Sequence, residues 1–145
     1  MEVVLKRQDD AFHFEAVGGS GVPVQLDAAE AIGGHNAGAR PMELLLMGLG
    51  GCTAIDVILI LKKQRQNVEE FQIRLTGDRV KIEGTEKTPY RSIHIQFELQ
   101  GEVDPQKAQK AITLSMEKYC SATAQLESSA SITHTLVING ENISA

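Results

Sequence analysis

Residues 2–7 (EVVLKR) and 11–17 (AFHFEAV) are short runs rich in strand-forming apolar residues, and 22–27 (VPVQLD) alternates apolar with polar positions; all three predict strands. QDD between the first two runs predicts a hairpin, and Gly-Ser-Gly turns the chain into the third. AAEAIGGHNAGAR is small, glycine-rich loop. The pattern then changes. From Met42 a helical pattern runs unbroken to about Gln66, and within it Leu44 to Leu61 carries a single charge, Asp56, which predicts a long helix apolar on nearly every side. Pro41 suits its first turn, where a missing N–H costs nothing, and Lys62, Lys63 and Arg65 suit the negative end of its dipole.

Period two returns in EEFQIRLTGDRV and RSIHIQFELQG, with GTEKTPY as the connection. Asp104-Pro105 opens a second helix, Asp as N-cap and Pro in the first turn. Its stripe is Ala108, Ala111, Ile112, Ser115 and Met116, and it ends near Tyr119. SATAQLESS reads as a short third helix and SITHTLVING as a terminal strand. This order predicts an α+β domain over residues 1–145, mainly antiparallel sheet with one long, buried central helix.

Composition changes that picture little. A formal net charge of −5 and no basic run longer than Lys62-Lys63 argue against nucleic acid as a partner. Leu44 to Leu61 is apolar enough to resemble a membrane span, but Asp56 near its centre would cost roughly 2.5–3.5 kcal/mol there. No membrane partner is expected. MEVVLKRQDD has no apolar stretch behind a basic start, so no secretory signal is read and the cytoplasm is the expected compartment.

Two cysteines do change the picture. Cys52 and Cys120 lie 68 positions apart, unlike the dense pattern of a disulfide-stapled domain. In a reducing compartment such a pair is more often catalytic or redox-sensing than structural. Cys52 follows Gly48, Gly50 and Gly51, each costing roughly 1 kcal/mol against alanine inside a helix. The glycines strip side chains from the turn before the thiol and make space, for another backbone or for a substrate. On a helix Cys52 shares a face with Gly48, Leu49, Ile55 and Asp56. Asp56 is the nearest carboxylate on that face; its charge beside the sulfur would raise the thiol pKa, so it reads as a structural or supporting group.

RPMELLLMGLGGCTAIDVI together with EKYCSATAQLESSASITHTL resembles the OsmC/Ohr superfamily, and more narrowly its OsmC-like branch. The resemblance implies an intertwined homodimer in which two long helices cross at the centre with sheets around them. It also implies a thiol-dependent hydroperoxide reductase, peroxiredoxin-like in activity, serving oxidative stress defence. Matched residue by residue, Cys52 is the peroxidatic thiol and Cys120 the resolving one. Hydroperoxide is then the substrate, and a lipoylated protein or small thiol the reductant. The family places a glutamate directly after the proline of the central helix; here Met42 stands there and the acid follows at Glu43. Glu43 is nonetheless the candidate acid, nine residues and about 13 Å of helix from Cys52. Arg40, beside Pro41, is the candidate activating arginine and Arg7, at the end of the first strand, a further one, both by location only.

The chemistry is coherent without the family. Attack on a peroxide needs a thiolate, so a working site carries something cationic or dipolar that lowers a thiol pKa from about 8.5. A second thiol captures the sulfenic acid before over-oxidation. No cofactor is expected. His13, His35, His94 and His134 are scattered singly, no CxxC spacing is present, and zinc is not expected. The alternative is a non-catalytic OsmC-like dimer, stress-related, that binds an apolar small molecule.

Overall fold

The structure, a computed structural model, describes residues 1–144. The chain divides into two compact units, Met1–Leu45 and Leu46 onward. In the first, β1 (Val4–Arg7), β2 (Phe14–Val17) and β3 (Val24–Leu26) form an antiparallel sheet in that order. The β1–β2 hairpin is as the two runs around QDD predict, and its connection is tied by the Arg7 guanidinium, which donates to the carbonyls of Ala11 and Asp10.

The glycine-rich segment after β3 holds one 3₁₀ turn, Glu30–Ile32. Asp27, 2% exposed, organises it by accepting from the N–H groups of Ala28, His35 and Ala37 at 2.7–3.0 Å. A Cβ on Gly34 would lie 2.0 Å from the Ala28 carbonyl oxygen, so only glycine fits that close approach. The Ala37 N–H foremost, then those of His35 and Ala28, hold the Asp27 carboxyl below its ordinary 3.8 against the opposing effect of burial. A depressed folded pKa contributes stability that is present above 3.8 and lost as pH falls through the lowered value. Acid titration followed by amide exchange is therefore expected to open residues 28–37 first in this unit, and Asp27→Asn to open them already at neutral pH.

Helix α1 (Pro41–Lys63) starts in the first unit and continues into the second. It stops three residues short of the predicted end, because Arg65 takes a left-handed φ of 57° and the N–H groups of Arg65 and Gln66 close back on Lys62 and Leu61. Its buried stripe, Leu49, Thr53, Val57 and Leu61, repeats every four residues, while Leu45, Met47, Ile55 and Leu59 are 45–71% exposed. Gly50 packs against Leu75, whose Cδ1 an added Cβ would meet at 2.7 Å, so that side chain would have to move. Gly48 and Gly51 face open space.

In the second unit β4 (Asn67–Arg79), β5 (Tyr90–Glu102), β6 (Ser131–Ile138) and β7 (Glu141–Ile143) form a sheet in that order. β4–β5 and β6–β7 are antiparallel, but β5 and β6 run parallel, joined by the helical crossover between them. The alternation of β5 buries Ile93, Ile95, Phe97 and Leu99, which with Ile112, Leu136 and Leu61 make the core. α2 (Pro105–Leu114) has Asp104 as N-cap, its carboxylate accepting from the N–H groups of Gln106 and Lys107. β7 was not anticipated. Its signal is Asn139-Gly140, both at positive φ (49° and 81°), the pair that a tight hairpin turn requires.

Candidate active site

The predicted second helix does reach Tyr119, but not as one helix. After Leu114 it widens into a π-turn, Ser115–Tyr119, closed by the Cys120 N–H on the Ser115 carbonyl at 2.8 Å. Such a turn inserts one residue into a helix, and it recurs at functional positions. Here it delivers Cys120. That residue is also the N-cap of α3 (Ser121–Leu126), its sulfur accepting from the Thr123 N–H at 3.3 Å.

Opposite stands α1. Cys52 and Asp56, one turn apart, are both half-buried, while Cys120 is 4% exposed. The two sulfurs and a carboxylate oxygen of Asp56 all lie within 4.8 Å of one another. Ser115, fully buried, donates its hydroxyl to Asp56 Oδ2 at 3.0 Å and so links α1 to the π-turn. Both cysteines are free thiols. Burial pushes the Cys120 thiol up from its ordinary value, the Thr123 hydrogen bonds oppose that, and the neighbouring Cys52 thiol adds to it. Cys120 is thus held as a neutral thiol, whereas Cys52 is the one of the pair with more access to solvent. Asp56 also borders a cavity of about 320 Å³, walled by Leu59, Ile60, Leu114 and Tyr119, with Lys63 at its edge.

Arg40 and Glu43 form a group of their own at the start of α1. The Glu43 carboxylate accepts the Arg40 backbone N–H at 3.0 Å, the reach-back half of a capping box. The Arg40 guanidinium donates to Asn36 Oδ1 and to the Gly38 carbonyl. Sequence reasoning missed this capping role, although an acid two residues after an N-terminal proline is its signal. Asp56, read from the sequence as the same-face carboxylate nearest Cys52 with a structural role, stands in the cluster with both sulfurs. The strand histidines are occupied locally: His94 with Thr133 and Thr135, His134 edge-on to Phe97.

The sequence model of the family described as "OsmC-like protein" matches residues 34–135, which is 102 of the 145 residues. The chain belongs to this family. Protein YhfA of Escherichia coli K12 is 40% identical over 97 residues, covering 65% of this chain and 69% of that protein. A hypothetical protein from Aquifex aeolicus VF5 is 32% identical with a TM-score of 0.77, covering 95% of this chain and 96% of its own. An organic hydroperoxide resistance protein from Elizabethkingia anophelis shares the OsmC-like fold at TM-score 0.71 and 16% identity, with 94% of each chain covered. The resemblance read from the sequence is thus established at the level of family and α+β fold.

Proposed function

We propose that this OsmC-like protein is a two-cysteine peroxidase that reduces organic hydroperoxides in oxidative stress defence. The observation that carries the reading is the meeting of two free thiols, 68 residues apart in sequence, within 4.8 Å. The Cys52 thiolate attacks an oxygen of the peroxide. An S–O bond forms, the O–O bond breaks, and the alkoxide leaves as alcohol with a proton. Cys120 then attacks the sulfenic sulfur, the S–S bond forms and water leaves. The sulfurs close to about 2.05 Å in that step, a movement within the reach of side-chain rotation. A dithiol reductant, lipoylated protein or small thiol, exchanges with the disulfide and is itself oxidised. The apolar walls beside Asp56 favour an alkyl substituent on the peroxide over hydrogen peroxide.

Arg40 and Glu43 cap the start of α1 and are given no step in this reading. The active form is a homodimer, and a reducing compartment such as the cytoplasm suits the pair. The exposed apolar face of α1 supports the dimer, because Leu45, Met47, Ile55 and Leu59 are large side chains that a second copy would cover. Sedimentation is expected to show a dimer, and Ile55→Glu to raise its dissociation constant by roughly two orders of magnitude, since a buried lone carboxylate is costly.

The test is thiol state by mass spectrometry after reduced protein meets one equivalent of an organic hydroperoxide. A Cys52–Cys120 disulfide within seconds supports the reading; two unreacted thiols after minutes sink it. A second reading, an apolar-ligand binder, is favoured by a hollow of about 340 Å³ in the first unit, lined by Leu5, Phe12, Phe14, Leu26, Ala28 and Pro41. A co-purifying apolar molecule beside inert thiols would select it.

A further inference from the structure

We infer that the reduced protein binds one divalent transition-metal cation, zinc by its chemistry, on Cys52 Sγ, Cys120 Sγ and the Asp56 carboxylate. The inference uses the residues of the proposed peroxidase site but does not depend on that activity. The three donor atoms already lie within 4.8 Å of one another. In a tetrahedral site with Zn–S near 2.3 Å and Zn–O near 2.1 Å, neighbouring donors stand about 3.5–3.8 Å apart. The contraction needed is about 1 Å.

The donor set selects the ion. Two thiolates and one carboxylate suit zinc, cobalt or cadmium and reject magnesium and calcium, which want oxygen only. Asp56 is the residue that peroxide chemistry leaves without a part, being neither nucleophile nor resolver. A divalent cation seated among the three donors displaces the thiol protons and stabilises the two thiolates and the carboxylate together.

The surroundings fit as well. The Ser115 hydroxyl on Asp56 and the Thr123 N–H on Cys120 are the outer hydrogen bonds that orient a ligating carboxylate and thiolate. Half-burial of Cys52 and Asp56 leaves an entry path, and three protein donors leave the fourth position of a tetrahedral ion to water. Three protein ligands with an open position is the arrangement of a reactive site rather than a closed structural one. The sequence hid it because two ligands share a turn of α1 and the third comes from a π-turn 64 residues after Asp56. The spacing therefore matches no CxxC pattern.

Metal and disulfide exclude each other, since a disulfide removes both thiolates. The probe is cobalt(II), added to reduced, chelator-stripped protein. Expected is saturation at one equivalent, with near-ultraviolet thiolate-to-cobalt absorption and the visible bands of tetrahedral cobalt, both bleached by zinc. Cys52→Ser and Cys120→Ser are expected each to halve the charge-transfer intensity, and Asp56→Asn to weaken binding at least tenfold. Absence of the charge-transfer band at stoichiometric cobalt overturns the inference. So does unchanged affinity in Asp56→Asn, or a band in diamide-oxidised protein. Peroxide-driven disulfide formation measured in excess chelator reports on the peroxidase reading alone, so either idea can fail without the other.

Discussion

Cys52→Ser is expected to abolish hydroperoxide consumption, with a loss of roughly three orders of magnitude or more, because a hydroxyl at that position is no nucleophile for an O–O bond. Cys120→Ser separates the two half-reactions. Its Cys52 still loses a thiol to the first equivalent of peroxide, but the sulfenic acid finds no second sulfur within 4.8 Å and persists until excess peroxide drives it to sulfinic acid. A dimedone-type trap followed by intact mass checks this: one adduct in Cys120→Ser, none in Cys52→Ser, and a loss of two hydrogens without adduct in the parent. Reversed labelling, with the adduct on Cys120, would exchange the roles. Burial argues against that exchange, since Cys120 is 4% exposed and its thiol is pushed up, while Cys52 is the more open of the two.

Phe97→Ala carries the largest expected cost to the fold. Phe97 is fully buried at the centre of β5, stacked on Phe71 at 6.4 Å between centroids and met edge-on by His134 at 6.3 Å. Truncating such a ring removes its burial and leaves a cavity, typically about 3–5 kcal/mol. Whole domains of this size hold only about 5–15 kcal/mol. Urea unfolding is expected to show a midpoint collapse for Phe97→Ala and a shift of about a third of that for Phe97→Leu, which refills most of the volume. The same substitution exposes His134, whose pKa is lowered by burial first and by the charge of His94 second. A rise in its titration midpoint by NMR would register the opened core independently.

The sequence carried the elements whose signals are local. Pro41 and Asp104-Pro105 mark helix starts by removing or satisfying N–H groups, and alternation in β4 and β5 marks a face turned to the core. What it withheld depends on partners far along the chain. Five residues of π-turn do not disturb a 3.6-residue period enough to be seen, so Ser115–Tyr119 reads as plain helix. Parallel pairing of β5 with β6 is invisible in either strand alone. α1 looks apolar on every side, yet the single chain buries only one stripe of it. At the site, the two thiols were legible as a pair through the family motifs. Asp56 was legible as the neighbour of Cys52 on one helix face but not of Cys120, because that contact depends on where the π-turn puts Cys120.

The place of the two cysteines along the chain has a consequence of its own. A bond between them would enclose β4, β5 and α2 in a ring of about 69 residues, and closing a ring that long removes roughly 4 kcal/mol of freedom from the unfolded chain. The molecule is then sturdiest at the moment its thiols are spent. Were the pair to cycle as proposed, reduction would loosen the frame again, and exposure to oxidant would harden this fold rather than wear it down.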